Sequence, residues 1–276
     1  MDAIVRPIDA ARLERERRGE SAELTAGHAE PPRAAGGPAI GLTDTVIFEH
    51  PVVQLDEEHR ERERILPAGA GTEAGAPYKM LRTQVMRRLA DLGANSLAVL
   101  SAHNGEGKTL TAINLAIAVA AHPGFTALLV DLDLRRPSIH RRLGIEPQIG
   151  IEDCLAQRRP IYEAMVKVAG YERLTVLPAR APVPYSSELL GTQRMAELVQ
   201  ELRNRYLNRV LIFDLPPVLL SDDALAFSQH VQAGLLVVSE GRTAREGVTR
   251  SLTLLYKLPI VGTVLNRSQE RLGSYY

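Results

Sequence analysis

A glycine-rich stretch with one lysine and one threonine is the part of the sequence best suited to chemistry. It reads SAHNGEGKTLTAINLA, from Ser101 to Ala116, and it lies between a hydrophobic run and an amphipathic run. Gly105 and Gly107 let the backbone turn and approach an anion with no Cβ in the way, and a helix that begins near Lys108 adds the positive end of its dipole. Lys108 can reach between the β- and γ-phosphates of a nucleotide, and the Thr109 hydroxyl can ligate Mg²⁺. The stretch therefore predicts a loop that holds a triphosphate.

The predicted nucleotide contacts form one continuous segment from the loop into the first helical turn. Its members are Asn104, Gly105, Glu106, Gly107, Lys108, Thr109 and Leu110. Ala102 stands where the full motif has glycine, and alanine fits there if the backbone has ordinary dihedral angles. The alternative is a glycine-rich turn with a surface lysine, which the placement between a strand and a helix disfavours.

Three aspartates follow other hydrophobic runs, at the points where strands are expected to end. Asp131 and Asp133, in ALLVDLDLRRP, stand on alternate positions and so face one side. Asp214 ends the run VLIFD. A magnesium triphosphate needs carboxylates near its metal, and phosphoryl transfer needs a base or a water-positioning group. Three acids at this edge of a sheet meet both needs, whereas each one alone could be a turn residue.

Other polar residues near these motifs leave alternatives open. Arg135 and Arg136 could contact phosphate, a partner carboxylate or solvent. Asn266, after the run GTVL, could hydrogen-bond an adenine edge or cap a turn. The Ser-Asp-Asp sequence at 221–223 most simply caps the next helix.

Strand-like apolar runs alternate with helical patterns from residue 76 onward. The predicted strands are 96–101, 127–131, 174–178, 209–214, 234–239 and 260–265. The predicted helices begin with one that has Pro77 in its first turn and stops at Gly93, followed by 187–206 and by 243–257, where Thr243 and Glu246 match a capping box. Near-continuous apolar strands separated by helices predict an α/β fold, with a mostly parallel sheet covered by helices on both faces. Ligands bind such sheets at the carboxyl ends of the strands.

The composition fits a protein with a sizeable core. Of the 276 residues, 45% are hydrophobic, and the formal net charge is zero, which gives no electrostatic case for nucleic acid. The single cysteine, Cys154, rules out an intramolecular disulfide and fits a reducing compartment. The apolar runs are too short to span a bilayer, and the N-terminus lacks a signal-peptide pattern. We expect a cytoplasmic protein.

The chain divides into three segments by composition. Residues 1–75 hold one aromatic residue, several Pro/Gly/Ala stretches and two charge-dense runs, so we expect a mostly disordered arm that is either a docking segment or a solvated tail. Residues 76–267 are the predicted nucleotide-binding domain. Residues 268–276 are a flexible tail that ends in Tyr275 and Tyr276.

The order of these motifs resembles that of a known family. SAHNGEGKT is followed by LLVDLDLRRPSIHRRLG, then by IFDLPPVLLSDDA, then by VGTVLNRS and terminal tyrosines. From about residue 76 to the end, the chain resembles the bacterial tyrosine kinases (BY-kinases), and in particular the stand-alone, exosortase-associated tyrosine autokinases of exopolysaccharide loci. The resemblance implies a P-loop NTPase fold related to the chromosome-partitioning ATPases.

The resemblance also implies an activity, with ATP and Mg²⁺ as cofactors. Lys108, Asp131 and Asp133 would serve catalysis, and Thr109, Asp131 and Asp214 would hold the Mg²⁺. The acceptors would be Tyr275 and Tyr276, most simply those of another subunit, since about nine residues of tail can span roughly 30 Å. The partner would be an inner-membrane chain-length-determinant (polysaccharide co-polymerase) protein, which would bring the chain to the membrane periphery.

Two departures from the related patterns bear on the function. His103 stands where the partitioning ATPases place a signature lysine, which favours the kinase branch. The oligomerisation motif Glu-x-x-Arg-x-x-Arg is represented here by Ala76, Lys79 and Arg82, so self-association is expected but a ring is not assured. The alternatives are an ATPase switch that phosphorylates nothing and an assembly module that binds nucleotide for structure only.

Overall fold

A computed structural model of the chain describes residues 50–68, 75–205 and 208–268. Their strands form a single eight-stranded sheet in the order β1-β4-β5-β3-β6-β2-β7-β8. The strands are Val52–Val53 (β1), Ser96–Ser101 (β2), Thr126–Asp131 (β3), Val166–Val168 (β4), Leu174–Leu177 (β5), Arg209–Asp214 (β6), Ala233–Ser239 (β7) and Ile260–Asn266 (β8). Neighbouring strands are parallel except for β4 and β5, which are antiparallel.

Helices cover both faces of this sheet. They are Glu57–Arg62 (α1), Ala76–Asp91 (α2), Lys108–Ala120 (α3), Ile139–Arg142 (α4), Ile151–Ala156 (α5), Ser186–Leu190 (α6), Gln193–Arg205 (α7), Asp223–Ser228 (α8) and Arg245–Leu254 (α9). Alternate residues of β2 point to opposite sides: Leu97 packs in the core beneath α2 and α3, and Leu100 packs in the core beneath α7 and α8. The predicted parallel sheet with two covered faces is therefore confirmed.

The predicted strands match the observed ones within one residue at each end. The sequence missed β1 and β4, which have only two and three residues and so show no periodicity. Helix α2 begins at Ala76 and ends before Gly93, whose φ of +60° is a left-handed conformation that favours glycine.

The single helix predicted over 187–206 is two helices. Gly191 follows α6 and Thr192 precedes α7. The Thr192 hydroxyl accepts a hydrogen bond from the backbone N–H of Met195 at 3.2 Å, which is the geometry of an N-cap. A weak helix former followed by a capping residue therefore interrupts an apolar pattern that continues through both helices. Residue 206, the predicted end, lies outside the described residues.

The folded part of the chain extends further towards the N-terminus than the sequence predicted. Residues 50–68 were assigned to the arm, but β1 pairs with β4, matching Val52 with Lys167. Ile65 and Leu66 are buried in the core beneath α2 and α3. These two apolar residues anchor a charged segment to the core, but two residues are too few to show a periodic hydrophobic pattern in the sequence. The rest of the predicted arm and the tyrosines of the tail lie outside the described residues. No helix among the described ranges is long and apolar enough to cross a membrane.

Candidate functional site

The phosphate loop lies where the sequence placed it, between the carboxyl end of β2 and the start of α3. Gly105 has a φ of +76° and Gly107 a φ of +93°, both in the region that favours glycine. A Cβ on Gly107 would also collide with the side-chain amide of Asn266. Gly107 is thus required twice, once for its backbone angle and once for the close approach of Asn266.

A cavity of about 260 Å³ opens at this loop. The predicted site residues that line it are Asn104, Gly105, Glu106, Gly107, Lys108, Thr109, Leu110, Asp133 and Asn266. Asp131 and Asp214 are fully buried behind them. The sequence did not predict three arginines that line the same cavity, Arg64, Arg142 and Arg267.

Lys108 is the centre of a charged cluster beneath the cavity. Its Nζ lies 2.6 Å from Oδ1 of Asp214 and 3.6 Å from Oδ2 of Asp133. Burial by itself lowers the pKa of Lys108, but the carboxylates of Asp214 and Asp133 outweigh it, and the net pKa lies above the ordinary value. The lysine is therefore a fixed positive charge at the base of the loop.

Asp214 meets the first turn of α3 because of the strand register. In β6 it pairs with Asp131 of β3 on one side and with Val99 of β2 on the other. Its Oδ2 accepts a hydrogen bond from the Thr109 hydroxyl at 2.7 Å. The hydroxyl of Thr109 and the carboxylates of Asp214 and its strand neighbour Asp131 are the hard oxygen donors that Mg²⁺ prefers, so these residues fit a magnesium site.

Asp133 is the one acid of the three that reaches the cavity surface. Burial raises the pKa of its carboxyl group, Lys108 opposes that rise, and Asp214 adds to it, with a net pKa above the ordinary value. A carboxylate with a raised pKa is a better proton acceptor near neutral pH.

Asp131 holds the loop that carries Asp133. Its Oδ2 accepts hydrogen bonds from the N–H groups of Ser138 and Ile139, both at 3.0 Å, and its Oδ1 accepts one from the N–H of Asp133 at 3.2 Å. Burial, followed by the charge of Asp214, raises the pKa of Asp131 to about 8, while the N–H groups of Ile139 and Ser138 act against the rise. Its direct roles in catalysis and Mg²⁺ binding stay predictions, but its hydrogen bonds position the segment after β3 that carries Asp133.

Glu106 turns its side chain inward, away from a nucleotide. It is 4% exposed; its Oε2 accepts a hydrogen bond from the N–H of His103 at 3.1 Å, and its Oε1 accepts one from the Thr243 hydroxyl at 2.6 Å. The nucleotide contact of Glu106 stays a prediction, and with the side chain occupied it would be made by the backbone. The capping box predicted for Thr243 is wrong, since α9 begins after Ala244 with no side-chain cap.

Asn266 packs onto the loop from β8. Its Nδ2 donates a hydrogen bond to the carbonyl of Glu106 at 2.8 Å, and its Oδ1 accepts one from the N–H of Arg267 at 2.9 Å. Asn266 was predicted either to contact adenine or to cap a turn. The observed contacts are those of a turn cap, and one of them also holds the phosphate loop. A contact with adenine stays a prediction.

Arg135 pairs with carboxylates of its own chain. Its Nε donates to Oδ1 of the fully buried Asp223 at 3.0 Å, and a terminal nitrogen lies 3.5 Å from Asp222. The prediction that 221–223 cap α8 is confirmed in position, since Asp222 is the N-cap and Asp223 lies in the first turn, but Asp222 makes no side-chain cap hydrogen bond. These ion pairs join the segment after β3 to the segment after β6. Arg136 is exposed.

Comparison with known proteins places this site in context. A family model of the ParA type, described as NUBPL iron-transfer P-loop NTPase, matches residues 94–272. Tyrosine-protein kinase YwqD of Bacillus subtilis (strain 168) is 32% identical over 191 residues, which cover 68% of this chain and 79% of that protein.

Two further matches come from larger proteins or their domains. The succinoglycan biosynthesis transport protein ExoP of Rhizobium meliloti (strain 1021) is 31% identical over 196 residues, which cover 68% of this chain but only 24% of ExoP. The solved kinase domain of the Escherichia coli tyrosine kinase ETK superposes with a TM-score of 0.67 at 26% identity, covering 82% of this chain and 91% of that domain. The phosphate loop and the three acids described above lie within the matched part of the chain.

Proposed function

Because the chain belongs to the bacterial tyrosine kinase (BY-kinase) family of ParA-like P-loop NTPases, we propose that it transfers the γ-phosphoryl group of ATP to tyrosine hydroxyls. The observation that carries this proposal is the cluster of Lys108, Thr109, Asp133 and Asp214 at the phosphate loop. It combines a fixed cation for phosphate, oxygen donors for a metal and one accessible carboxylate.

The chain's own residues have separate tasks in this reaction. The loop N–H groups and Lys108 bind the phosphates and stabilise the charge on the transferring group. Thr109 and Asp214, with Asp131 behind them, would hold Mg²⁺, which supplies further charge neutralisation when bound. Asp133 accepts the phenol proton as the tyrosine oxygen bonds to the γ-phosphorus and the bond from that phosphorus to the leaving ADP breaks.

We propose Tyr275 and Tyr276 as the acceptors, most simply those of a neighbouring copy of the chain. A phosphorylated tail gains negative charge and would dock less well at its neighbour, which would loosen self-association. The neutral composition supports protein partners rather than nucleic acid.

The proposed setting is polysaccharide export at the inner membrane. The similarity to ExoP, a succinoglycan biosynthesis transport protein, supports it. The chain would work there with a chain-length-determinant (polysaccharide co-polymerase) protein and be held at the membrane by that partner.

The second candidate is an ATPase switch without kinase activity, which the ParA-type family model favours. An iron-transfer role does not fit the cysteine content of this chain. Iron–sulfur clusters are held by cysteine thiolates, and this chain has one cysteine, Cys154, which is buried.

The test is mass spectrometry of the C-terminal peptide after the full chain is incubated with Mg·ATP. We expect phosphate on Tyr275 or Tyr276, lost in Lys108→Met and in the double Tyr→Phe variant. Asp133→Asn should retain nucleotide binding and lose phosphorylation. Because retained binding shows that this variant is folded, it serves as a control if the Lys108 variant does not fold. If the chain hydrolyses ATP in the presence of the partner's cytoplasmic segment but the tail stays unmodified, the kinase proposal is rejected and the ATPase switch is retained.

A further inference from the structure

The three arginines that line the phosphate-loop cavity are not equivalent. Arg142 is already paired, since it lies 2.9 Å from Oε2 of Glu63. Within residues 50–68, 75–205 and 208–268, the guanidinium groups of Arg64 and Arg267 have no hydrogen-bond or ion-pair partner. Two unpaired cations therefore face a cavity whose loop is shaped for an anion.

Arg64 has an unusual backbone. Its φ is +57°, in the left-handed region that a side chain such as arginine seldom adopts. Two other described residues that are not glycine share this feature, Arg158 and Arg267, and Arg267 lines the same cavity. Backbone strain of this kind persists only where surrounding contacts impose it, and it concentrates at functional sites.

Buried hydrogen bonds impose the conformation of Arg64. Asn114 of α3 is 1% exposed; its Nδ2 donates to the carbonyl of Arg64 at 3.0 Å, and its Oδ1 accepts from the N–H of Leu66 at 2.9 Å. The Tyr171 hydroxyl donates to the carbonyl of Leu66 at 2.7 Å. The residues on the C-terminal side of Arg64 are therefore fixed to the helix that begins at the phosphate loop.

The N-terminal side of Arg64 is anchored as well. Nε2 of His59, in α1, lies 3.0 Å from the carbonyl oxygen of Arg142. The ion pair between Glu63 and Arg142 joins the same two elements. A segment anchored on both sides therefore places Arg64, whose guanidinium has no partner among the described residues, in the wall of the cavity.

We propose that Arg64 binds the terminal phosphate of the nucleoside triphosphate. The segment 50–68 is then a functional part of the nucleotide site. Lys108 lies at the base of the loop, between Asp214 and Asp133, so it can contact the terminal phosphate from one side only. Arg64 supplies a second cation from the cavity wall, where a guanidinium can pair with two phosphate oxygens. This inference rests on the nucleotide binding proposed above, although not on the transfer to tyrosine.

The test compares a triphosphate with a diphosphate, because only the former has the group that Arg64 would contact. Binding of Mg²⁺ with a non-hydrolysable ATP analogue, and of Mg²⁺ with ADP, is measured by titration calorimetry on the full chain. We expect Arg64→Gln to weaken binding of the analogue about tenfold while changing that of ADP less than about twofold. Arg64→Lys should retain part of the preference. Arg158→Gln is the matched control, another arginine with positive φ that does not line the cavity, and both of its affinities should stay at the wild-type values.

The outcomes separate this inference from the proposed function. Equal losses for both nucleotides, or no loss for either, would overturn the role of Arg64 while leaving nucleotide binding in place. A wild-type chain that binds neither nucleotide would overturn both. Phosphate can also come from the reaction product, so a phosphotyrosine tail peptide is titrated in parallel. A loss confined to that peptide would show that Arg64 binds the product and not ATP.

Discussion

Replacing Thr243 with valine removes one hydroxyl group that joins two distant parts of the chain. That hydroxyl donates to Oε1 of the buried Glu106 at 2.6 Å and accepts a hydrogen bond from the N–H of Ser239 at 2.9 Å. Valine has nearly the same shape, so the change tests the hydrogen bonds rather than packing. It leaves one carboxylate oxygen and one backbone N–H without these partners.

The expected magnitude follows from what is left unpaired. A hydrogen bond to a charged group contributes about 1.5–3 kcal/mol, and an unsatisfied polar group costs about as much. Because Thr243 is only partly buried, water replaces some of what is lost, and we expect Thr243→Val to lower the free energy of unfolding by about 2 kcal/mol. For a domain of this size, that corresponds to a fall in Tm of roughly 4–8 °C.

The assay is chemical and thermal denaturation, with Thr249→Val as the matched control. Thr249 is an exposed threonine of α9, the helix that begins two residues after Thr243. Its hydroxyl donates to the carbonyl of Arg245, so its loss should change the free energy of unfolding by less than about 0.5 kcal/mol. Glu106→Gln completes a double-mutant cycle, in which Thr243→Val should cost less once the carboxylate is gone. Equal costs in both backgrounds, or a Thr243→Val variant as stable as the control, would refute the coupling.

Two further predictions concern single residues. Gly107→Ala should abolish nucleotide binding measured by calorimetry, because Gly107 has a φ of +93° and a Cβ there would collide with Asn266. The control is Gly93→Ala, which should lower stability but keep binding, since Gly93 has a φ of +60° and open space around the added Cβ. Burial raises the pKa of the Cys154 thiol to about 11, so the native chain should react slowly with iodoacetamide at pH 8, when the thiol is protonated. The reaction should accelerate in urea; rapid labelling of the folded chain would contradict the burial of Cys154.

The phosphate loop and the sheet were predictable because their signals are local. Glycines that need positive φ, apolar runs of strand length and acids at strand ends are all visible within a few residues of sequence. Parallel strands then bring their carboxyl ends to one edge, which is why Asp131 and Asp214, far apart in the chain, are neighbours in the sheet.

The contacts that were missed depend on pairings between distant segments. Glu106 and Thr243 are 137 residues apart in the sequence. The local pattern at Thr243 predicted a helix cap, but its hydroxyl binds Glu106 instead. The segment around Arg64 was assigned to a disordered arm because it is rich in charge. Its anchor is the side chain of Asn114, a polar residue in the largely apolar part of α3, and nothing in the sequence identifies its partners.

The pairing of Lys108 with Asp214 makes nucleotide binding an exchange of partners. The carboxylates of Asp214 and Asp133 satisfy the lysine charge that the phosphates would otherwise meet. Lys108 must therefore give up a 2.6 Å contact before it can serve a phosphate. A cation that arrives with the nucleotide would compensate Asp214 as the lysine leaves. We therefore expect the proposed nucleotide site to prefer a metal-bound nucleotide, since a bare polyanion would have to compete with Asp214 unaided.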